Sequence, residues 1–209
     1  MSIEPVISGL IINRFLRSAM KKLIVGISGA SGAIYGVRLL QVLRQVADVE
    51  SHLILSGAAR QTLALETDYS LREVVDLADV VYDSRDIAAS ISSGSFRCYG
   101  MVILPCSMKT LSAIVNSYAD DLMVRAADVM LKERRPLVLG VRETPLHLGH
   151  LRLMTQAAEL GSIIMPPLPA FYHRPQSIGD IIDQTVNRTL DQLDIHLEKD
   201  LFVRWNGRS

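Results

Sequence analysis

The sequence has little cysteine: two residues in 209, Cys98 and Cys106. So sparse a pair makes no disulfide framework, and both are read as reduced thiols of a cytoplasmic protein. Net charge is also missing, because twenty-two basic residues balance twenty-two acidic ones. No overall field draws the chain to nucleic acid or anionic lipid, so a small, locally complemented partner is expected. Although 49% of the residues are hydrophobic, no apolar run approaches the roughly 18 residues a membrane span needs. The apolar excess points instead to surface buried between subunits. A P-loop (GxxxxGK then Ser or Thr), a GxSxG elbow and an HExxH pair do not occur. His147, His150 and His173 lack metal-ligand spacing, and no metal is expected.

What is present is organised around LIVGISGASGAIYG, residues 23 to 36. Leu23 to Ile27 is apolar on both faces, as a strand between two helix layers must be. The turn after it carries Gly29, Ala30, Ser31 and Gly32 and runs straight into a helix. Helix-opening amides lack intrahelical partners and sit at the positive end of the dipole, so a nucleotide or flavin phosphate fits there. The plain alternative is a tight turn that binds nothing. The glycines read GxxGxxG, and the second strand, His52 to Leu55, ends on Ser56 where a dinucleotide enzyme places a carboxylate. NAD is disfavoured; FMN, which has no ribose ring, stays open.

Residues 1–19 read as an N-terminal extension, with Met20-Lys21-Lys22 as a natural start and a mis-assigned start or added leader as its source. Residues 20–209 read as one domain, since strand and helix alternate throughout without repeat or low-complexity linker. Strands are expected near 23–27, 52–55, 79–82, 101–104, 137–141 and 163–165. Helices are expected after the first strand and over 58–66, 107–135 with a break at 118–121, 148–160 and 178–193. This is an α/β, Rossmann-like or flavodoxin-like doubly wound parallel sheet in three layers. Ligands of such sheets lie beyond the strands' carboxyl ends, which puts Ser28 to Gly32, Ser56, Pro105 to Thr110, Arg142 with Glu143, and Pro166 to Tyr172 on the active edge.

Several residues there could do chemistry. Ser107 and Thr110 offer a second hydroxyl-and-amide anion site, although Ser107 also suits an ordinary N-cap. Arg142-Glu143 is either a surface ion pair worth little or, if partly buried, an acid–base group. Arg125 and Lys132 lie about two turns apart on one helix; they are solvated charges, or one reaches a neighbouring subunit's site. Glu66 closes a helix, where the dipole disfavours a carboxylate, which makes function a better explanation than stability. Tyr172 can offer its phenol to a phosphate or simply pack. Asp120-Asp121 lacks the further aspartate of magnesium-dependent prenyl diphosphate enzymes.

Taken together, GASGAIYG, ISSGSF, PCSMKTLSAI, RAADVMLKERRPLVL, VRETPLHLGHLRLM, MPPLPAFYHRPQS and the terminal RW-G resemble the UbiX family of flavin prenyltransferases, over nearly everything from Met20 to Gly207. The resemblance implies a large homo-oligomer, possibly a dodecamer, and a metal-independent reaction. In it the dimethylallyl group of dimethylallyl monophosphate is joined to N5 and C6 of reduced FMN. The product, prenylated FMN, serves a UbiD-type decarboxylase such as the one in ubiquinone synthesis. The resemblance further implies that Gly29, Ala30, Ser31, Ser56, Ser107, Met108, Lys109, Thr110 and Arg142 hold FMN. Tyr172 and Arg188 would bind the substrate phosphate, with Lys132 and Arg125 supporting them. Glu143 would protonate the leaving phosphate, Lys132 would stabilise it, and Ser31 with Glu66 would relay the proton lost by the flavin. One departure stands out: where relatives read SKAA after the second strand, this chain reads Ser56-Gly57-Ala58-Ala59.

Two other readings use the same fold. A flavin-containing cysteine decarboxylase would carry a histidine in an HIxL-like segment and a PxMNxxM loop. The corresponding stretches here are Ser90-Ile91-Ser92-Ser93 and Arg142-Glu143-Thr144-Pro145. A non-catalytic subunit delivering FMN to a decarboxylase is the third.

Overall fold

The computed structural model describes residues 20–207; the extension expected over 1–19 lies outside the described residues. Six strands form one sheet in the order β3-β2-β1-β4-β5-β6, every neighbouring pair parallel. They are β1 (Lys21–Ile27), β2 (Val49–Leu55), β3 (Val80–Asp83), β4 (Gly100–Cys106), β5 (Leu137–Val141) and β6 (Ile163–Ile164). This order is the Rossmann variant of the doubly wound sheet, and the reversal between β1 and β4 is its switch point. The connecting helices are α1 (Ala33–Leu43), α2 (Gly57–Glu66), α3 (Leu71–Val75), α4 (Met108–Val115), α5 (Leu122–Lys132), α6 (Leu148–Glu159) and α7 (Ile178–Asp191). The expected break near 118–121 separates α4 from α5. The short α3, built on a Ser70/Glu73 capping box, and a 3-10 turn at Ser90–Ser92 carry too few residues for a helical period and were not expected.

Side chains alternate across a strand, and β1 shows the result. Leu23, Val25 and Ile27 enter a core with α1 and α7, whereas Ile24 enters a second core with α4 and α5. All four are fully buried, which at about 1.5–3 kcal/mol per large side chain makes this strand the centre of both layers.

Backbone bonds continue past the strands and tie their ends into one edge. The Ser56 amide donates to Ile27 O at 3.1 Å, Arg142 N to Cys106 O at 3.0 Å and Met165 N to Leu139 O at 2.9 Å. Ser28, fully buried, joins β1 to β4: its hydroxyl donates to Pro105 O at 2.9 Å and accepts from the Ser107 amide at 2.7 Å.

Gly36 lets α1 lie against this edge, since a Cβ there would meet the Leu104 carbonyl oxygen at 2.5 Å and the Ile27 side chain at 2.6 Å. Alanine would gain about 1 kcal/mol of helix propensity, but overpacking costs about 1–3 kcal/mol. The clash involves backbone and should win. Gly36→Ala is therefore expected to lower the urea midpoint at fixed protein concentration; an unchanged or raised midpoint contradicts this packing.

Candidate active site

A cleft of about 440 Å³ opens at the switch point, walled by Gly29, Ser56, Gly57, Ser107, Lys109 and Thr110. Five of the nine residues expected to hold the cofactor thus line one cavity. Gly29 is required by contact, because a Cβ there would fall on the Cβ of Ala58 in α2. Ser107 is the N-cap of α4: its Oγ accepts from Thr110 N at 3.2 Å and lies 3.0 Å from Thr110 Oγ1. The residues whose hydroxyls meet at this helix start also line the cleft, so the cap and the expected anion site coincide in position. Asp120 and Asp121 line the cleft too, and Asp121 caps α5 by accepting from Val124 N at 2.8 Å.

The first turn behaves otherwise. Gly32, the N-cap of α1, is left-handed at φ 98° and has no side chain to cap with. Its amide donates instead to Glu66 Oε2 at 2.7 Å. The anion that the sequence places at this helix start is the protein's own carboxylate. Glu66 leaves the unfavourable end of α2 for the favourable end of α1, which resolves the conflict with the dipole noted for it. Burial alone would raise its carboxyl. Hydrogen bonds from the Ser31 hydroxyl and the Gly32 and Ala33 amides, with Arg142 close by, outweigh that and hold it below its ordinary value of 4.5. Arg142 also acts on Tyr35, whose phenol is pushed up by burial and partly drawn back by that cation. Ser31, Glu66 and Arg142 therefore form one group beside the cleft, and Ala30 is buried behind them. Met108 is half-buried at the start of α4.

Other expected site residues lie outside the lining of this cleft. Glu143 is exposed, its Oε1 accepting only from the amide of Thr144 at 3.0 Å; one chain does not provide the partial burial its acid–base reading needs. Lys132 ends α5, eight residues beyond Val124 on the cleft wall, which is about 12 Å of helix rise. Its Nζ pairs with Glu133 at 3.1 Å. Within one chain it is not among the residues that line the cleft. Arg125 donates from Nε to Ser92 O at 3.1 Å and pairs with Asp128 at 2.8 Å, clamping the 3-10 turn.

Tyr172 and Arg188 do come together, in a second and separate cavity of about 690 Å³ that also includes Gln184, Phe202, Arg204 and Trp205. It shares no lining residue with the cleft. Gln184 Nε2 donates to the Tyr172 hydroxyl at 3.2 Å. Three aromatic rings, Tyr172, Phe202 and Trp205, meet edge to face around it. Gln184 and Arg204 were not picked out as site residues: one is an ordinary helix residue by type, the other lies in a terminal stretch without periodicity. Among the described residues, no group of three or more His, Cys, Asp or Glu could hold a metal ion.

The depressed Glu66 pKa has a signed consequence. A carboxyl whose folded value lies below its unfolded one stabilises above the unfolded pKa and loses that contribution as pH falls through the folded one. Glu66 is exposed, so water screens the effect and about 0.5–1 kcal/mol is expected. Glu66→Gln should be less stable than the parent by that amount at pH 7. The gap should close as pH falls well below 4.5, read as urea midpoints across pH. A gap that persists in acid contradicts the charge–dipole origin.

Comparison with known proteins agrees with this geometry. The Flavoprotein family model matches residues 16–189. Flavin prenyltransferase UbiX of Escherichia coli K12 is 77% identical over 188 residues, 90% of this chain and 100% of that protein. The UbiX of Thauera aromatica is 59% identical over 186 residues, 89% of this chain and 94% of that one. Among solved structures, AnUbiX in complex with FMN and dimethylallyl pyrophosphate superposes with a TM-score of 0.87 at 50% identity, covering 91% of this chain and 100% of that one. A dodecameric FMN-dependent UbiX-like decarboxylase from Escherichia coli O157:H7 gives 0.85 at 50% identity, over 90% and 100%. With a switch-point cleft, an arginine cavity and identity of this extent, the chain belongs to the UbiX flavin prenyltransferases of the Flavoprotein family.

Proposed function

We propose that the protein joins the dimethylallyl group of dimethylallyl monophosphate to N5 and C6 of reduced FMN, releasing phosphate and giving prenylated FMN for a UbiD-type decarboxylase. The observation that carries the reading is the pairing of a hydroxyl-and-amide cleft with an aromatic cavity that ends on Arg188. Glu66 already occupies the start of α1, so the flavin phosphate goes to the start of α4. There the Ser107 and Thr110 hydroxyls, the first α4 amides and Lys109 receive it. Gly29, Ala30, Ser31, Ser56, Met108 and Arg142 shape the rest of the cleft around the ring and ribityl chain. Reduced flavin supplies the electron-rich nitrogen and carbon that take the prenyl group. Glu66 is held as a carboxylate and accepts a bond from the Ser31 hydroxyl, so the pair is ready to take up the proton displaced from the flavin. Tyr172 and Arg188 grip the phosphate of the prenyl donor, and cations fixed away from water stabilise the charge that grows on it as its bond to carbon breaks. Glu143 returns a proton to that phosphate.

The two cavities are separate within one chain, and Lys132 does not line its own cleft. A working site is then assembled from several subunits, with Lys132, Arg125 and the Tyr172–Arg188 cavity of neighbours brought to the cleft. The exposed surface supports this. α6 buries only Ala157, and Leu148, Leu151, Leu168 and Phe171 are exposed, apolar side chains that a subunit contact would cover. The similar Escherichia coli O157:H7 structure is dodecameric. Burial between subunits would also cover Glu143. Among the described residues no helix is long and apolar enough to cross a membrane, and both cysteines are free thiols; we place the protein in the cytoplasm.

Incubation with FMN, a reductant and dimethylallyl monophosphate should yield a flavin heavier by one prenyl unit on mass spectrometry. An unmodified flavin overturns the reading, and loss of carbon dioxide from a cysteine-ended peptide would favour the cysteine decarboxylase. A mixing experiment tests the shared site. Lys132→Ala and Glu143→Gln are each expected to lose roughly a hundredfold or more in turnover. Oligomers reassembled from both should regain part of the activity, because some sites then draw each intact residue from a different subunit. No recovery in verified mixed oligomers contradicts the sharing.

A further inference from the structure

The C-terminal tail reaches back to α7 through a chain of four charges. Asp191, the last residue of α7, has a side chain only 13% exposed, and its carboxylate is fully used. Oδ2 accepts from Arg188 at 2.6 Å and from Arg204 at 2.8 Å. Oδ1 accepts from Arg204 at 2.9 Å and from Asn187 Nδ2 at 3.4 Å. Arg204 is then held from its other side by Asp200, with Nε and a terminal nitrogen each at 2.6 Å. Asn187 Oδ1 accepts the Leu201 amide at 2.8 Å, which fixes the tail backbone beside the chain of charges. The signs alternate from the tail inward: Asp200, Arg204, Asp191, Arg188. Both cations of the chain, Arg188 and Arg204, line the Tyr172–Trp205 cavity, and Arg204 has its guanidinium taken up by the two aspartates whereas Arg188 keeps donors open.

We propose that Asp191 and Arg204 are positioning residues for the phosphate of the prenyl donor, acting through Arg188. The inference rests on the reading of the Tyr172–Arg188 cavity given above. Among the described residues, Asp191 takes a single terminal nitrogen of Arg188, and no other protein acceptor is bonded to that guanidinium. The remaining donors are left for a ligand. A guanidinium binds phosphate through a planar fork, and the fork selects geometry only when its plane is fixed. Asp191 fixes it from behind. A carboxylate so placed would by itself oppose the approach of a phosphate, and that is what Arg204 corrects: its two bonds to Asp191 offset the negative charge and leave the cavity side of the chain positive. Hydrogen bonds from Arg204 above all, and from Arg188 against the opposing effect of burial, hold the Asp191 carboxyl below its ordinary range. The carboxylate therefore stays ionised through the neutral range. An isolated ion pair three residues apart on an exposed helix would fix little. This one is nearly buried and is braced from a second segment.

Steady-state prenylation kinetics of the full-length oligomer, varying dimethylallyl monophosphate at saturating reduced FMN, test the idea. Arg204→Gln is expected to raise KM for the monophosphate about tenfold while kcat and FMN affinity stay within about twofold. In an Arg188→Ala background the same substitution should add less than about twofold, because the residue through which it acts is gone. Arg204→Lys, which keeps the charge without the fork, should restore KM only in part. Asp191→Asn keeps the shape and covers the case in which the first variant does not fold. Positioning requires its KM to rise, whereas relief of simple repulsion would lower it, so a lowered or unchanged KM overturns the proposal. Additive effects of Arg204→Gln and Arg188→Ala overturn it too, since a tail that merely frays would act whether or not Arg188 is present. Arg188→Ala alone separates the two levels. If it leaves KM unmoved, the functional reading of the cavity fails and the positioning role with it; if it raises KM while Arg204→Gln does not, only the positioning role fails.

Discussion

The amides that open α1 have no cap of their own, and satisfying them arranges the rest of the site. A parallel sheet turns all its strand ends, and the helix starts that follow them, to one edge. Each start leaves donors that water or a polar group must meet. Along this edge Ser56, Ser107 and Asp121 cap their own helices, whereas Gly32 cannot. The missing acceptor arrives from the next helix as Glu66. For that carboxylate to reach, α2 must lie against the first turn so closely that residue 29 can carry no side chain. One unsatisfied helix start thus fixes the spacing of two helices, the identity of a glycine and the charge of the group beside Ser31. It also leaves α4 as the start where hydroxyls and open space coincide.

The same economy explains why one subunit holds two incomplete cavities. The cleft is built from strand-end turns, which can offer amides and hydroxyls but few cations: among the described residues Lys109 is the only basic side chain on its wall, and Asp120 and Asp121 share it. Stabilising a departing phosphate needs fixed positive charge held away from water. This chain keeps such charge elsewhere, on α5 and on α7 with the tail. In the shared site proposed above, bringing the two together between subunits would let each fold without burying an unpaired charge, which would cost several kcal/mol. In the single chain Arg188 and Arg125 are each paired with an aspartate and Lys132 with a glutamate.

Much of this was legible in the sequence. The six strands, the break between α4 and α5 and the active edge follow from period and from turn residues, and each element end falls within a few residues of its expected place. Ser107 was readable both as cap and as ligand group; it is the cap of α4, and it lines the cleft. What could not be read was any relation that depends on two distant segments meeting. That Glu66 would find Gly32 thirty-four residues earlier needs the crossover of β2, so the sequence shows only a carboxylate at an unfavourable helix end. Ser28 looks like one more turn serine until Pro105 and Ser107 are brought beside it. The tail bearing Arg204 has no periodicity at all, and its meaning comes wholly from Asp191. Glu143 differs: it follows β5 as expected, but it is exposed in the single chain, and its burial depends on neighbours that one sequence does not describe.

The departure at Gly57 is best weighed by magnitude. Its missing Cβ would meet nothing within 4 Å, so the lysine of the relatives could stand there without moving the backbone, and its absence is an electrostatic matter alone. A lysine on this rim would be solvated, and an exposed charge pair contributes at most about 1 kcal/mol, roughly fivefold in affinity. Against that stand two hydroxyls, several helix-opening amides and Lys109. Hydrogen bonds to a charged group are worth about 1.5–3 kcal/mol each. The bonds of this cleft outweigh the lost cation, and they are directional where a flexible lysine is not. On the reading proposed above, the geometry of the α4 start would place the flavin phosphate, and the net charge of the rim would adjust its affinity without deciding where it binds.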